Sequence, residues 1–186
     1  MIFWAQKNIE KLSTEVVSLQ DVLTDKNTRG TFGEVQLNNI LESIFGKGSS
    51  KIYKLQHNLS NKRIADAILH IPEPMGDLVI DSKFPLENYR RMVNRDSSTY
   101  EKEEAKKKFK TDLKKHINDI QEKYIIANET AEQAVMFIPA EAIFAEINAY
   151  HPDIIEHSQR KRVWIASPTT IMSLLTTVQV IIQNVD

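Results

Sequence analysis

The sequence predicts an α/β domain in which a mixed β-sheet is flanked by helices on both faces. Three short apolar segments follow one another in the first half of the chain, separated by turn residues, which is typical of an antiparallel meander. Two later strand-like segments are each followed by helical periodicity, which favours parallel strands connected by crossovers. A helical segment also precedes the meander, so the sheet is expected to be covered on both sides.

Length and composition restrict the class of protein. A chain of 186 residues is the size of one domain and can bury about 70% of the surface that its unfolded form exposes. The net charge of -1 gives no general attraction to nucleic acid, so any such site must be a local patch. The absence of cysteine excludes disulfides, thiolate catalysis and cysteine-bound zinc. Metals with oxygen ligands remain open.

The chain start has no basic region followed by an apolar run, so we predict no signal peptide and a cytoplasmic location. The longest uncharged segment, residues 163–185, is interrupted by proline, glutamine and asparagine. We therefore predict that this part of the chain makes no membrane contact.

The first 27 residues are predicted to form an N-terminal helix. Its apolar residues recur every three or four positions: Ile2, Ala5, Ile9, Leu12, Val16, Leu19 and Leu23. This spacing is typical of the end of a coiled coil, which would allow self-association, and equally of a lone amphipathic helix packed on its own domain. Residues 28–186 are predicted to form the main domain, truncated at its C-terminus.

The main domain is predicted to begin with a helix that places Glu34 in its first turn, where the helix dipole favours an acidic residue. Strands are expected at residues 52–57 and 63–71, and a third runs from the turn at residues 72–76 to residue 83. A hairpin centred near Glu73 and Pro74 would place Asp66 opposite Asp81. Because alternate strand residues share a face, Asp81 and Lys83 should point to the same side.

The second half is predicted to contain a long helix from Ser98 to about residue 128. Its run of alternating charge, residues 101–108, has the glutamate-to-lysine spacing that stabilises an exposed helix, so we favour a solvated face over a DNA-binding one. The remaining predicted elements are a strand at 134–138, a helix at 141–150, a helical turn after Pro152, a strand at 162–166, and a final helix that is capped by Ser167 and begins at Pro168.

Asp66 and Asp81 are the candidate metal ligands, because Mg²⁺ prefers carboxylate oxygens and completes its shell with water and substrate phosphate. Lys83 is the candidate catalytic cation, and Glu34 is an auxiliary acid. On spacing alone, an Asp-x-Lys triplet at a strand end is also compatible with a surface ion pair that contributes about 0 to 1 kcal/mol.

Two residues are assigned to substrate binding. Gln56, near the end of the first strand, is placed to orient a water molecule or to contact a phosphate. Arg63 lies where the second strand begins.

Several blocks together resemble the RmuC family of bacterial DNA recombination proteins. They are residues 30–34, 65–66, 78–86, 136–141 and 166–170, and they extend over most of residues 28–184. The resemblance implies a PD-(D/E)XK, restriction-endonuclease-like fold and a DNA-cleaving activity dependent on Mg²⁺ or Mn²⁺. It further implies a role in recombination that limits inversion at short repeats. Full-length members are expected to carry a longer coiled coil and, in some cases, an N-terminal membrane anchor.

Carried over by this resemblance, Asp66 matches the aspartate of a Pro-Asp element, and Asp81 and Lys83 match the second element. Glu34 matches the glutamate of a Gly-x-Trp-Gly-Glu block. Glu141 belongs to a recognisable block without an assigned role.

Two positions depart from the family pattern without removing a metal ligand. Ala65 replaces the usual proline, and Phe32 replaces the usual tryptophan.

Two functions follow as hypotheses. The first is a magnesium-dependent DNA endonuclease domain that acts through the four acidic and basic residues. The alternative is a non-enzymatic DNA-binding or scaffolding protein that keeps the nuclease fold.

Overall fold

The computed structural model of the protein describes residues 25–184. The predicted heptad segment, residues 2–23, lies outside them. In chain order the elements are α1 (Lys26–Phe45), β1 (Tyr53–Asn58), β2 (Ile64–His70), β3 (Asp77–Ser82), α2 (Leu86–Val93), α3 (Thr99–Tyr124), β4 (Ala134–Phe137), α4 (Glu141–Tyr150), α5 (Pro152–Arg160), β5 (Val163–Ala166) and α6 (Pro168–Gln183).

The five strands form one mixed sheet in the order β1-β2-β3-β4-β5. The first three strands pair antiparallel, as short turns between them require. β3 pairs with β4, and β4 with β5, in parallel, because helices connect these strands across the sheet. The predicted meander followed by parallel crossovers is confirmed, and β3 is the central strand where the two halves meet.

Helices cover both faces of the sheet, and each face has its own buried core. On one face, Val79 of β3 packs with the apolar side of α3 and with α4 and α5. On the other face, Leu78 and Ile80 of the same strand pack with α1 and α6. This alternation buries β3 on both sides, which explains why its sequence is apolar throughout its middle.

The long helix α3 ends at Tyr124 rather than near residue 128. It crosses the first face with six buried side chains: Ala105, Phe109, Leu113, Ile117, Ile120 and Tyr124. Ser98 caps its start by accepting a hydrogen bond from the Glu101 backbone N–H. α3 is therefore a core helix whose opposite face is exposed to solvent.

The final helix α6 begins as its sequence predicts. The Ser167 and Thr170 side chains each accept a hydrogen bond from the other residue's backbone N–H, which completes a capping box, and Pro168 occupies the first turn. Within the described part of the chain, no helix combines the length and the apolar character needed to cross a membrane.

The first helix differs from its prediction in a way that matters for the site. α1 already begins at Lys26, so Glu34 lies in its third turn and not in its first. The prediction of a dipole-stabilised carboxylate at the helix start is therefore wrong. Gly30 and Gly33, a residue type that usually marks turns, both lie within this helix.

Gly33 allows α1 to lie against the end of β3. It is buried, and a Cβ atom at this position would overlap the Ser82 Oγ and lie 3.4 Å from the Pro139 Cγ. A helix backbone can approach a strand this closely only where no side chain intervenes. The contact places the next residue, Glu34, beside the carboxyl end of β3.

We expect Gly33→Ala to destabilise the protein by about 1 kcal/mol or more, because Ser82 must rotate and its neighbours leave little room. Gly30→Ala is the matched control on the same helix, since a Cβ there meets no heavy atom within 4 Å. It should stabilise the protein by about 0.5 to 1 kcal/mol through helix propensity. Urea unfolding measures both changes, and an equal stabilisation by both variants would contradict the close packing.

Candidate active site

The sheet brings two aspartates together at the carboxyl end of β3. The pairs Leu69–Leu78 and Ala67–Ile80 define the register between β2 and β3, and its continuation sets Asp66 opposite Asp81. The predicted hairpin register is thus confirmed. The Ser82 backbone N–H donates to the Asp66 Oδ2 over 2.8 Å, which fixes this carboxylate at the strand end.

Asp81 is a buried carboxylate with a lysine ammonium beside it. Only 2% of its surface is exposed, and the Lys83 Nζ lies 3.1 Å from its Oδ2. This contact is an ion pair without good hydrogen-bond angles, since the buried Oδ2 accepts no hydrogen bond from any described residue. An ionised carboxylate in such surroundings is costly unless a cation stays close.

Burial raises the pKa of Asp81 to about 6. The Lys83 ammonium opposes this increase, and the Asp66 carboxylate adds to it. A buried carboxylate with a second carboxylate beside it favours binding of a proton or of a cation.

Glu34 lies close enough to influence the pair electrostatically but does not join it. Burial, followed by the Asp66 carboxylate, raises the pKa of Glu34, and Lys83 lowers it. Within residues 25–184, no three acidic or histidine side chains form a group that could hold a metal ion. The structure therefore places Glu34 at the edge of the site as an exposed side chain.

Helix α3 supplies a tyrosine beside the carboxylate pair. The Tyr124 hydroxyl donates to the Ile64 carbonyl over 3.2 Å, two residues before Asp66 on β2. Burial raises the pKa of Tyr124, and the neighbouring Asp81 and Asp66 carboxylates raise it further. Tyr124 therefore stays a neutral hydrogen-bond donor beside the carboxylate pair. Only the packing of α3 reveals this contact with the site.

His116 lies two helical turns before Tyr124. Burial and then the nearby Lys83 ammonium lower its pKa, so the imidazole is neutral beside this cation at ordinary pH. Its sequence surroundings contained no ligand spacing that would have indicated this position.

The two predicted substrate-binding residues lie in β1 and just before β2. Gln56 falls between the pairs Leu55–Ala67 and His57–Ala65, so it faces Asp66 across the ladder, and its φ of 48° interrupts the strand there. Arg63 is exposed just before β2 begins.

Glu141 has a structural explanation. Its Oε1 accepts a hydrogen bond of 2.7 Å from the Thr169 backbone N–H in the first turn of α6. Although burial raises it, hydrogen bonds from Thr169 and Ser167 hold the pKa of Glu141 below its usual value. This residue therefore caps one helix from the start of another and lies outside the carboxylate site.

The donor set suits a small divalent cation with oxygen ligands. Mg²⁺ is usually bound by one or two carboxylates, and water and substrate phosphate complete its octahedral shell. Asp66 and Asp81 supply two carboxylates, and the Asp81 Oδ2 has an unused acceptor position. The absence of histidine from the pair makes zinc a poorer match.

The fold and the site define an α/β protein with a lysine-paired dicarboxylate at the end of its central strand. The chain also belongs to the RmuC family, whose model matches residues 4–186. Relatives named "DNA recombination protein RmuC homolog" include those of Xylella fastidiosa, 32% identical over 92% of this chain and 39% of the relative, and of Chlamydia muridarum, 30% identical over 91% and 38%. "DNA recombination protein RmuC" of Escherichia coli K12 is 28% identical over 92% of this chain and 38% of its own.

The chain thus spans about two fifths of the length of these curated relatives. No solved structure matches it significantly.

The raised pKa of Asp81 predicts a pH-dependent stability. The native protein keeps the Asp81 proton up to about pH 6, whereas an unperturbed aspartate in the unfolded chain releases it near pH 3.8. Asp81 therefore favours the native state most at low pH, and this contribution of up to about 3 kcal/mol is lost as the pH rises through 6. Urea unfolding from pH 4 to 8 should show this decline, and Asp81→Asn should flatten it. An unchanged slope in the variant would contradict the assignment.

Tyr124→Phe should weaken the alignment of the carboxylate pair. Loss of the hydroxyl leaves the Ile64 carbonyl without this donor and should lower the free energy of unfolding by about 1 kcal/mol. We also expect Mn²⁺ affinity, measured by calorimetry, to fall several-fold, because Asp66 follows Ile64 on the same strand. Tyr89→Phe is the control, since Tyr89 is also partly buried but lies near Glu146. If the two variants bind Mn²⁺ equally well, Tyr124 has only a packing role.

Proposed function

We propose that this chain is the metal-dependent DNA endonuclease domain of a DNA recombination protein. The main support is the pair of opposed aspartates, Asp66 and Asp81. Asp81 is buried, its Oδ2 has an unused acceptor position, and the Lys83 Nζ lies 3.1 Å from that oxygen. That combination suits hydrolysis of a phosphodiester, in which negative charge develops on oxygen atoms. A PD-(D/E)XK type of nuclease fold is part of this proposal, supported by the order of Glu34, Asp66, Asp81 and Lys83.

Asp66 and Asp81 would hold Mg²⁺ or Mn²⁺. When bound, the ion neutralises the scissile phosphate and lowers the pKa of a coordinated water. The Ser82 backbone N–H keeps the Asp66 carboxylate oriented, so little reorganisation is needed for binding.

Lys83 would position the attacking water and stabilise the charge that develops on the phosphate. Its side chain is 33% exposed although its ammonium reaches a buried carboxylate, so it is accessible to substrate from the solvent side. Once a cation shares Asp81, the lysine is less strongly held by this single partner. Glu34, at the edge of the site, would orient a water molecule or a hydrated ion.

The relatives carry names that refer to DNA recombination. We extend the proposal to a recombination role in the whole protein, including limitation of inversion at short repeats, on the family resemblance alone.

A second candidate function is DNA binding or scaffolding without cleavage. The Lys83–Asp81 ion pair supports it, because the buried carboxylate is compensated without any metal ion. The net charge of -1 also supplies no general attraction to DNA.

The direct test is incubation of the purified chain with single-stranded, duplex and branched DNA, in Mg²⁺ or Mn²⁺ and then in chelator. We expect metal-dependent cleavage that falls at least about 100-fold in Asp81→Asn and Lys83→Met. Asp77→Asn is the matched control, since Asp77 lies at the other end of β3 and pairs with His70. It should cleave at the parent rate.

Cleavage that survives Asp81→Asn would place the chemistry elsewhere. Binding without cleavage of any DNA form, unaffected by chelator, would support the scaffolding function. The same assay on a full-length relative distinguishes a domain that needs the rest of the protein for cleavage from a domain that cannot cleave DNA.

A further inference from the structure

An open groove with several polar and charged side chains in its lining runs between the C-terminal half of α1 and the edge strand β1. It has a volume of about 560 Å³, and its walls include residues from both elements and from the loop between them. Among residues 25–184, β1 lies at the edge of the sheet, so one row of its backbone N–H and C=O groups has no strand partner there. A ligand in the groove could therefore contact side chains and the exposed backbone together.

The groove begins next to the carboxylate site. Gln56 lines it and faces Asp66 across the ladder. Asn38 lines it from α1, one helical turn beyond Glu34. Gln56 of the groove lining is thus the cross-strand neighbour of the proposed metal ligand Asp66, and other lining residues belong to the glycine-rich loop after α1.

The lining has the chemistry of a polyanion site with hydrogen-bonding partners. Lys47 and Lys54 supply two ammonium groups against one carboxylate, that of Glu42. The other polar groups are mostly amides and hydroxyls: those of Asn38, Gln56, Asn58, Ser49, Ser50 and Tyr53. Lysines bind phosphates, and amide side chains can hydrogen-bond to base edges.

The backbone at Gln56 supports a ligand-binding role. A φ of 48° is uncommon for a residue other than glycine, and here it lies inside a strand, where it interrupts pairing with β2. Strained residues of this kind concentrate where a ligand is bound. The ladder resumes with the pair His57–Ala65, so the break is confined to Gln56, opposite Asp66.

We propose that this groove binds the single-stranded DNA segment that flanks the scissile phosphodiester, with Lys47 and Lys54 on its phosphates. This inference rests on the proposed nuclease function and names how the substrate is held. An extended peptide added to β1 is the competing occupant. It would need apolar pockets for alternate side chains, whereas Leu55 is the one large apolar side chain of the lining that is strongly exposed.

The test is fluorescence anisotropy of a labelled single-stranded oligonucleotide in chelator, so that cleavage cannot interfere. The double variant Lys47→Ala with Lys54→Ala should bind roughly tenfold more weakly near 0.1 M salt, and the slope of log affinity against log salt should fall by about 1.4. The double arginine variant at these positions should keep parent affinity.

Lys102→Ala with Lys107→Ala is the charge-matched control, since both residues lie in the N-terminal half of α3, more than about 20 Å along the helix from Tyr124. It should bind as the parent does. Thermal unfolding confirms that each variant is folded.

If the double alanine variant keeps parent affinity, the proposal is wrong, and an extended peptide that pairs with β1 becomes the favoured occupant of the groove. An equal loss in the α3 control would overturn it too, because net charge alone would then explain the binding. Asp81→Asn separates this inference from the nuclease function: it should abolish cleavage while leaving affinity in chelator unchanged.

Discussion

The ion pair between Asp81 and Lys83 is the constraint on which the site depends. A carboxylate that is 2% exposed at the end of the central strand is tolerated only beside a cation, and Lys83 is the nearest one two residues along the same backbone. Asp66 enters this environment from the neighbouring strand and raises the cost of ionisation. The net charge of the site therefore depends on two carboxylates and one ammonium, and a bound divalent ion would change it directly.

Helices on both faces of the sheet position the residues around this ion pair. From one side, Gly33 lets α1 approach Ser82, whose backbone N–H orients Asp66. From the other side, the end of α3 brings the Tyr124 hydroxyl against β2. The carboxylate pair thus lies between α1 and the end of α3, and movement of either helix would shift the groups that hold it.

Much of the fold was predictable because its signals are local. Turn residues around Glu73 and Pro74 specify the hairpin, and the period of two then determines that Asp66 faces Asp81. The Ser167 cap marks the start of α6 for the same reason. Glu34 was misplaced within its helix because Gly30 and Gly33 are ordinarily loop residues. At Gly33 the helix packs against Ser82 at the end of β3, nearly fifty positions away in the chain.

By itself, the sequence determined the order of the elements, the strand register and the identity of the paired aspartates and lysine, since each depends on short-range periodicity. Only the tertiary structure decided that Asp81 is buried, that Tyr124 belongs to the site, and that Glu141 caps α6 instead. These outcomes depend on which helix covers which end of the sheet. Contacts of that kind join residues far apart in the chain, so burial and electrostatic environment emerge only when the layers are packed.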